Sequence, residues 1–60
     1  MITFYEAYEI DCRVYYGESI TPGEKKAVTE LMSDIIDNPD NYPFSYLMWV
    51  AFSIKDYPDA

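Results

Sequence analysis

The tetrapeptide Thr21-Pro22-Gly23-Glu24 constrains the fold more than any other feature of the chain. It has the pattern of a helix N-terminus, with Thr21 at the N-cap, Pro22 at the first helical position and Glu24 completing a capping box. Apolar residues follow at positions 27, 28, 31, 32, 35 and 36, which places them on one face of a helix. We therefore predict a helix from about Pro22 to Asp37.

The segments on either side of this helix alternate apolar and polar side chains with a period of two. From Ile2 to Tyr16 the even positions are apolar or aromatic except for Glu6, and from Phe44 to Lys55 they are apolar or aromatic throughout. Such alternation is typical of a half-buried strand, and aromatic and β-branched residues favour strands. We predict one strand after the helix. Before it we predict either one long strand or two strands joined at a bulge or turn between Glu6 and Asp11.

These elements predict an α+β fold in which residues 1–60 form a single domain. One helix would pack on one face of a small antiparallel sheet of two to three strands, in the order β-α-β or ββαβ. A single helix covers only one face of a sheet. The second face either is exposed to solvent or packs against a partner or a second copy of the chain, and it would carry Tyr5, Tyr15, Leu47 and Trp49.

The composition excludes most catalytic machinery. The 60 residues include 11 acidic and 4 basic side chains, for a net charge of −7, with no histidine and one cysteine. The chain therefore lacks an imidazole base, a His-ligated zinc site and an internal disulfide. We expect no enzyme activity, no metal site and no cofactor. An acidic protein repels nucleic acid and anionic membranes, so a protein with a basic surface is the expected partner.

No targeting or membrane signal is recognisable in the sequence. The chain has no apolar run near the length of about 20 residues that spans a bilayer. It also has no basic segment followed by an apolar one, as a signal peptide would have. We therefore expect a cytoplasmic protein.

Charges on the predicted helix are placed against its dipole. Lys25 and Lys26 lie near its start, whereas Asp34 and Asp37 lie near its end. Glu30, Asp34 and Asp37 share one face, with Asp34 and Asp37 roughly 6 and 10 Å from Glu30 along the axis. Two interpretations stay open: a column of carboxylates that imitates the phosphates of a nucleic-acid backbone, or a solvated polar face that serves solubility.

The segment from Val14 to Ile20, followed by Pro22 and Glu24, resembles a family of known inhibitors. It is similar to the strand-to-helix segment of the phage-type uracil-DNA glycosylase inhibitors, in which a Glu-Ser-Ile sequence at a strand edge precedes an acidic helix. The likeness covers about a quarter of the chain. In size, acidity and tyrosine content the chain is also similar to the very small dimeric inhibitors of Bacillus phages.

The resemblance implies inhibition by DNA mimicry, in which the strand edge enters the DNA-binding groove of the enzyme. Glu18 would accept hydrogen bonds from the groove, Ser19 would add polar contacts, and Ile20 would lie against the groove wall. The negative track would be extended by Glu24 and Glu30, with Asp34 and Asp37 further along the helix.

The glycosylase fills the base stack with an apolar wedge, so the resemblance also implies a hydrophobic pocket that receives this residue. The candidates for its lining lie between the helix and the last predicted strand: Val28, Met32, Met48 and Trp49. The competing interpretation, which we favour for each residue taken singly, is that Val28, Met32 and Met48 belong to the core.

Our first hypothesis is a bacteriophage protein that inhibits host uracil-DNA glycosylase stoichiometrically and performs no chemistry. The second is an acidic DNA mimic directed at another host protein, such as a restriction enzyme, a CRISPR effector or a nucleoid protein. The third is a small interaction protein of the immunity or antitoxin type, whose binding energy would come from aromatic residues rather than charge.

Overall fold

The structure, a computed structural model, describes residues 1–58. The chain forms three α-helices in succession: α1 (Phe4–Tyr15), α2 (Pro22–Asp37) and α3 (Phe44–Ser53). Short 3-10 turns occupy Pro39–Asn41 and Ile54–Asp56. No strand occurs between residues 1 and 58. The predicted α+β fold, whether β-α-β or ββαβ, is therefore wrong, and the protein is a three-helix domain.

Helix α2 begins and ends as predicted. The Thr21 hydroxyl accepts a hydrogen bond from the Glu24 backbone N–H at 3.1 Å, and the Glu24 carboxylate accepts one from the Thr21 backbone N–H at 2.9 Å. This reciprocal pair is a capping box, which satisfies two backbone donors at the helix start. The predicted apolar face is buried along most of its length, at Val28, Leu31, Met32 and Ile35.

Helix α1 replaces the first predicted strand and begins with the same Thr-x-x-Glu pattern. The Thr3 hydroxyl accepts a hydrogen bond from the Glu6 backbone N–H at 3.2 Å and donates one to the Glu6 carboxylate at 3.1 Å. Glu6, which interrupts the period-two alternation, is thus the third residue of a capped helix. Ala7 and Ile10 are buried at a helical spacing.

A left-handed glycine ends α1. Gly17 has a φ of 81°, its N–H donates to the Val14 carbonyl at 3.0 Å, and the Glu18 N–H donates to the Arg13 carbonyl at 2.8 Å. These two bonds are the Schellman motif that closes many helices. Gly17 therefore ends a helix, which replaces the strand structure predicted over Ile2–Tyr16.

Helix α3 replaces the strand predicted over Phe44–Lys55. It buries Trp49, Val50 and Ser53, whose spacing is helical. Because α1 is also helical, no strand is available to pair with this segment. A lone strand leaves its backbone groups unpaired, whereas a helix satisfies most of its own. The outer side of α3 keeps an exposed apolar stripe formed by Phe44, Met48 and Phe52.

Helix α2 packs against both α1 and α3. The other two helices meet across Phe4, whose ring stacks on Tyr46 with the centroids 3.8 Å apart and touches Trp49 edge-on at 5.2 Å. The most deeply buried large side chains are Val28, Met32 and Ile35 of α2. The core therefore lies along the buried face of α2 and extends into the contact between α1 and α3.

The second sheet face, predicted either to be exposed to solvent or to pack against another chain, is absent because residues 1–58 form no sheet. Tyr5 and Tyr15 are 83% and 77% exposed on α1, whereas Trp49 is only 8% exposed and forms part of the core. Leu47 is half-buried and packs against that core. These four residues share no common surface, because helical geometry distributes them to different sides of α1 and α3.

Candidate functional site

Three of the predicted contact residues come together along the C-terminal half of α2. Glu30, Asp34 and Asp37, here called the acidic face, line a shallow depression of about 370 Å³ together with Met1, Thr29 and Ser33. Within residues 1–58 no basic side chain lines this depression, and none lies in the last turn of α2. The C-terminal end of a helix carries a partial negative charge of its own, which adds to that of the carboxylates. The acidic face is therefore a local concentration of negative charge.

The central carboxylate of the acidic face is fixed by neutral donors. The Tyr42 hydroxyl donates a hydrogen bond to Asp34, and the Asn38 side-chain amide donates another at 3.0 Å. The bond to Asp34 raises the pKa of Tyr42 above its ordinary value. These donors orient Asp34 without neutralising it. Glu30 and Asp37 remain exposed on either side.

The Glu18-Ser19-Ile20 segment lies in the loop between α1 and α2, not at a strand edge. The Glu18 and Ser19 side chains are exposed, whereas Ile20 is half-buried and packs against the core. The strand edge that the resemblance implied is therefore absent. The loop leaves Glu18 and Ser19 accessible to a partner but uses Ile20 for the packing of this domain.

Glu24 has a structural role that sets it apart from the acidic face. Its carboxylate caps α2 and also pairs with Arg13 of α1. The backbone N–H of Thr21, followed by Arg13, holds the pKa of Glu24 below its usual value. Glu30 lies six positions after Glu24 in the helix, so the two side chains point roughly 120° apart. The negative track predicted from Glu24 through Glu30 is therefore not continuous.

The predicted hydrophobic pocket is closed. Val28 and Met32 are 0% and 1% exposed, so a partner's wedge residue has no access to them. Trp49 is also buried, whereas its neighbour Met48 is 49% exposed on the outer side of α3. Consecutive helical residues point about 100° apart, so Met48 and Trp49 do not line one pocket. The interpretation of Val28 and Met32 as core describes this structure.

The buried carboxylate of Asp11 is the feature that sequence reasoning missed. Asp11 is 8% exposed and accepts three hydrogen bonds: from the Trp49 indole at 3.1 Å, the Ser53 hydroxyl at 2.7 Å and the Tyr57 hydroxyl at 2.8 Å. Burial and the bond to Asp11 raise the pKa of Tyr57 well above its ordinary value. This group, here called the Asp11 network, fastens α1 to α3 and to the segment that follows it.

A signal for the Asp11 network is present in the sequence. Asp11 lies seven residues after Phe4 and three before Val14, on the side of α1 that faces the core. Three side chains that can donate hydrogen bonds follow at intervals of four, at positions 49, 53 and 57. A lone acid at a core position with such a column elsewhere indicates a buried polar network.

A second cavity lies beside the Asp11 network. Its volume is about 260 Å³, and Asp11, Trp49 and Ser53 form one part of its lining. The remainder comes from α1 and the residue after it: Tyr8, Cys12, Tyr15 and Tyr16. Cys12 is a half-buried free cysteine at this cavity.

The described part of the chain was also compared with the requirements of a metal site and of a membrane span. Within residues 1–58 no three His, Cys, Asp or Glu side chains are grouped so as to hold a metal ion. No helix in the same range has the length and apolarity needed to cross a membrane. Comparison of the chain with models of protein families, with curated proteins and with solved structures finds no match.

Proposed function

We propose that this protein is a stoichiometric inhibitor that places its acidic face on the basic DNA-binding surface of a host protein. The observation that supports the proposal is the column of three carboxylates along the C-terminal half of α2, two of them in its last turn, with no basic side chain of residues 1–58 in the depression that they line. This arrangement works against helix stability, because like charges repel and the helix dipole favours cations at this end. A binding role gives a reason for it.

The acidic face suits a surface that binds phosphates. Lys and Arg side chains in a DNA-binding groove are arranged to neutralise a row of negative charges. Asp34, held by Tyr42 and Asn38, meets such a groove already oriented, so less side-chain freedom is lost on binding. The inhibitor acts in the cytoplasm of the host cell, where its target meets DNA.

Uracil-DNA glycosylase is the first target to test, and other DNA-binding proteins are the alternatives. The loop residues Glu18 and Ser19 distinguish them, because only the glycosylase hypothesis gives this loop a specific contact. Glu18→Ala would weaken inhibition of the glycosylase, whereas a mimic of another target that uses only the acidic face would be unaffected by it.

The test is a titration of the protein into a uracil-excision assay and, in parallel, into DNA-binding assays with restriction and nucleoid proteins. We expect inhibition that is complete at a fixed low molar ratio. The double variant Glu30→Gln with Asp37→Asn should weaken it by at least about tenfold, because each carboxylate supplies charge-assisted hydrogen bonds. The matched control is Glu9→Gln with Asp56→Asn, which removes two exposed carboxylates elsewhere. Equal effects of the two double variants would contradict a specific role for the acidic face.

The stability of a variant of the acidic face distinguishes a binding role of this face from a role in solubility alone. Asp37→Asn removes a negative charge from the last turn of α2 and should stabilise the protein by about 0.5 kcal/mol. We expect the same variant to inhibit less well. A gain in stability with unchanged inhibition of every target would favour a solvated face without a binding role.

A second candidate function rests on the apolar stripe of α3. Phe44, Met48 and Phe52 are 73%, 49% and 72% exposed. An interaction protein of the immunity or antitoxin type would use such side chains as its anchors, and a homodimer would bury them in itself. Binding through this stripe would be insensitive to salt, whereas association through the acidic face slows as ionic strength rises. Sedimentation of the wild type and of Phe52→Ser reports the homodimer.

A further inference from the structure

We propose that the cavity beside the Asp11 network binds the head group of an organic cation, such as an alkylated ammonium or a guanidinium. This cavity is here called the tyrosine cavity, because Tyr8, Tyr15 and Tyr16 line it. It shares no residue with the depression at the acidic face, so the proposal is independent of DNA mimicry.

Three tyrosine rings form part of the lining of the tyrosine cavity. Tyr15 and Tyr16 stand perpendicular to each other, with an interplanar angle of 89° and centroids 5.2 Å apart. Tyr8 comes from the same side of α1, two turns before Tyr15. A cation that sits over aromatic faces is attracted by the negative charge of their π-systems, and several rings around one site form an aromatic cage.

Charge selects a cation over an anion. Asp11 lines the cavity, and no basic side chain from the described part of the chain does. The Asp11 oxygens already accept hydrogen bonds from Trp49, Ser53 and Tyr57. A cationic ligand is therefore attracted by the negative charge of this carboxylate and does not need to donate a hydrogen bond to it. Such a site favours a bulky, weakly hydrated cation over a small, strongly hydrated one. The net charge of −7 works in the same direction at longer range.

Size limits the ligand to a head group or a side chain. The cavity of about 260 Å³ is smaller than the roughly 300 Å³ at which pockets for drug-sized molecules begin. The same chemistry can come from a free molecule such as choline or from a methylated lysine or arginine side chain of a protein. Both sources belong in the test.

The test is an NMR titration that follows the indole N–H of Trp49, the single tryptophan of the chain. Choline chloride is compared with 3,3-dimethylbutan-1-ol, its neutral isostere, at constant ionic strength. Acetylated amides of trimethyllysine and arginine form the side-chain arm. We expect saturation by choline with a dissociation constant on the order of 10 mM and little response to the neutral isostere. Tighter binding of one amide than of choline would identify a side chain as the ligand.

Variants locate the binding site. Tyr15→Leu should weaken choline binding by about three- to tenfold, whereas Tyr15→Phe, which keeps the ring, should change it less than about twofold. The matched control is Tyr5→Leu, which removes an 83% exposed ring of α1 outside the cavity. Because both tyrosines are largely exposed, these variants should fold, which circular dichroism checks. The proposal is overturned if the isostere binds as well as choline, if neither choline nor the amides shift the indole signal, or if Tyr5→Leu weakens binding as much as Tyr15→Leu.

Discussion

Removal of the Asp11 carboxylate should cost this protein most of its stability. In Asp11→Ala the donors of Trp49, Ser53 and Tyr57 lose their common acceptor, and all three residues are buried. A hydrogen bond to a charged group contributes about 1.5–3 kcal/mol, and a buried donor left unpaired is itself penalised. The net loss of stability should be smaller than the sum of three such bonds. The variant no longer transfers a carboxylate from water to the interior on folding, and the freed hydroxyl groups can turn toward other acceptors.

We expect a net loss of about 3–5 kcal/mol, which is less than the sum of three hydrogen bonds to a charged group at about 1.5–3 kcal/mol each. At about 0.05–0.15 kcal/mol per residue, a domain of this length has a total stability of only about 3–9 kcal/mol. The melting temperature should therefore fall by at least about 12 °C. Asp11→Asn should cost only about 1–2 kcal/mol, because its amide oxygen can still accept from Trp49 and Ser53 while the Tyr57 hydroxyl turns to accept from the new amide.

The assay is urea unfolding at pH 7, followed by Trp49 fluorescence and by circular dichroism. Glu9→Ala is the matched control, because it removes an exposed carboxylate from the same helix and changes the net charge equally. It should stay within about 0.5 kcal/mol of the wild type. A loss in Asp11→Ala of less than about 1 kcal/mol, or no greater than in Glu9→Ala, would refute the importance of the Asp11 network.

Further predictions concern the helix caps and pH. Thr3→Ala and Thr21→Ala should each lower the free energy of unfolding by about 1 kcal/mol, because each removes the side-chain acceptor of an N-cap; urea midpoints measure this. The pKa of Tyr57 is raised in the folded state, so its neutral form is favoured there. Its contribution should be complete below the unfolded-state pKa of about 10 and lost as pH rises further. Unfolding by urea at pH 8 and pH 11 should show this loss, and Tyr57→Phe should reduce it. Part of the loss should persist in that variant because the pKa of Tyr42 is raised as well.

Helix α2 could be predicted from the sequence because its signals are unambiguous. The capping box at Thr21 and Glu24 fixes where it begins, and apolar residues in two columns fix which face is buried. The acidic face could also be predicted, since the helical spacing alone brings Glu30, Asp34 and Asp37 together. The hydrogen bond from Tyr42 to Asp34 could not be predicted, because that contact depends on the loop after α2.

Helices α1 and α3 were predicted as strands because their apolar content satisfies both periods. In α1 the set Phe4, Ala7, Ile10 and Val14 is spaced for a helix, yet the even positions alternate as well. The deciding signals were Glu6 in its capping position and Gly17 in the Schellman motif. In α3 the aromatic content favoured a strand, but strand propensity depends on the neighbours that a strand finds. With both segments helical, neither has a strand to pair with.

The span of the Asp11 network has a consequence for the order of folding. Its three hydrogen bonds join residues 38, 42 and 46 positions apart, whereas each helix cap closes over three. Local contacts form early because little chain entropy is lost in closing them, so the α1–α2 hairpin is the expected nucleus and the docking of α3 the final step. Interactions absent from the transition state act on the unfolding rate. In stopped-flow measurements Asp11→Asn should therefore accelerate unfolding and leave the refolding rate nearly unchanged. The Asp11 network, which forms late in folding, thus sets the lifetime of the native state.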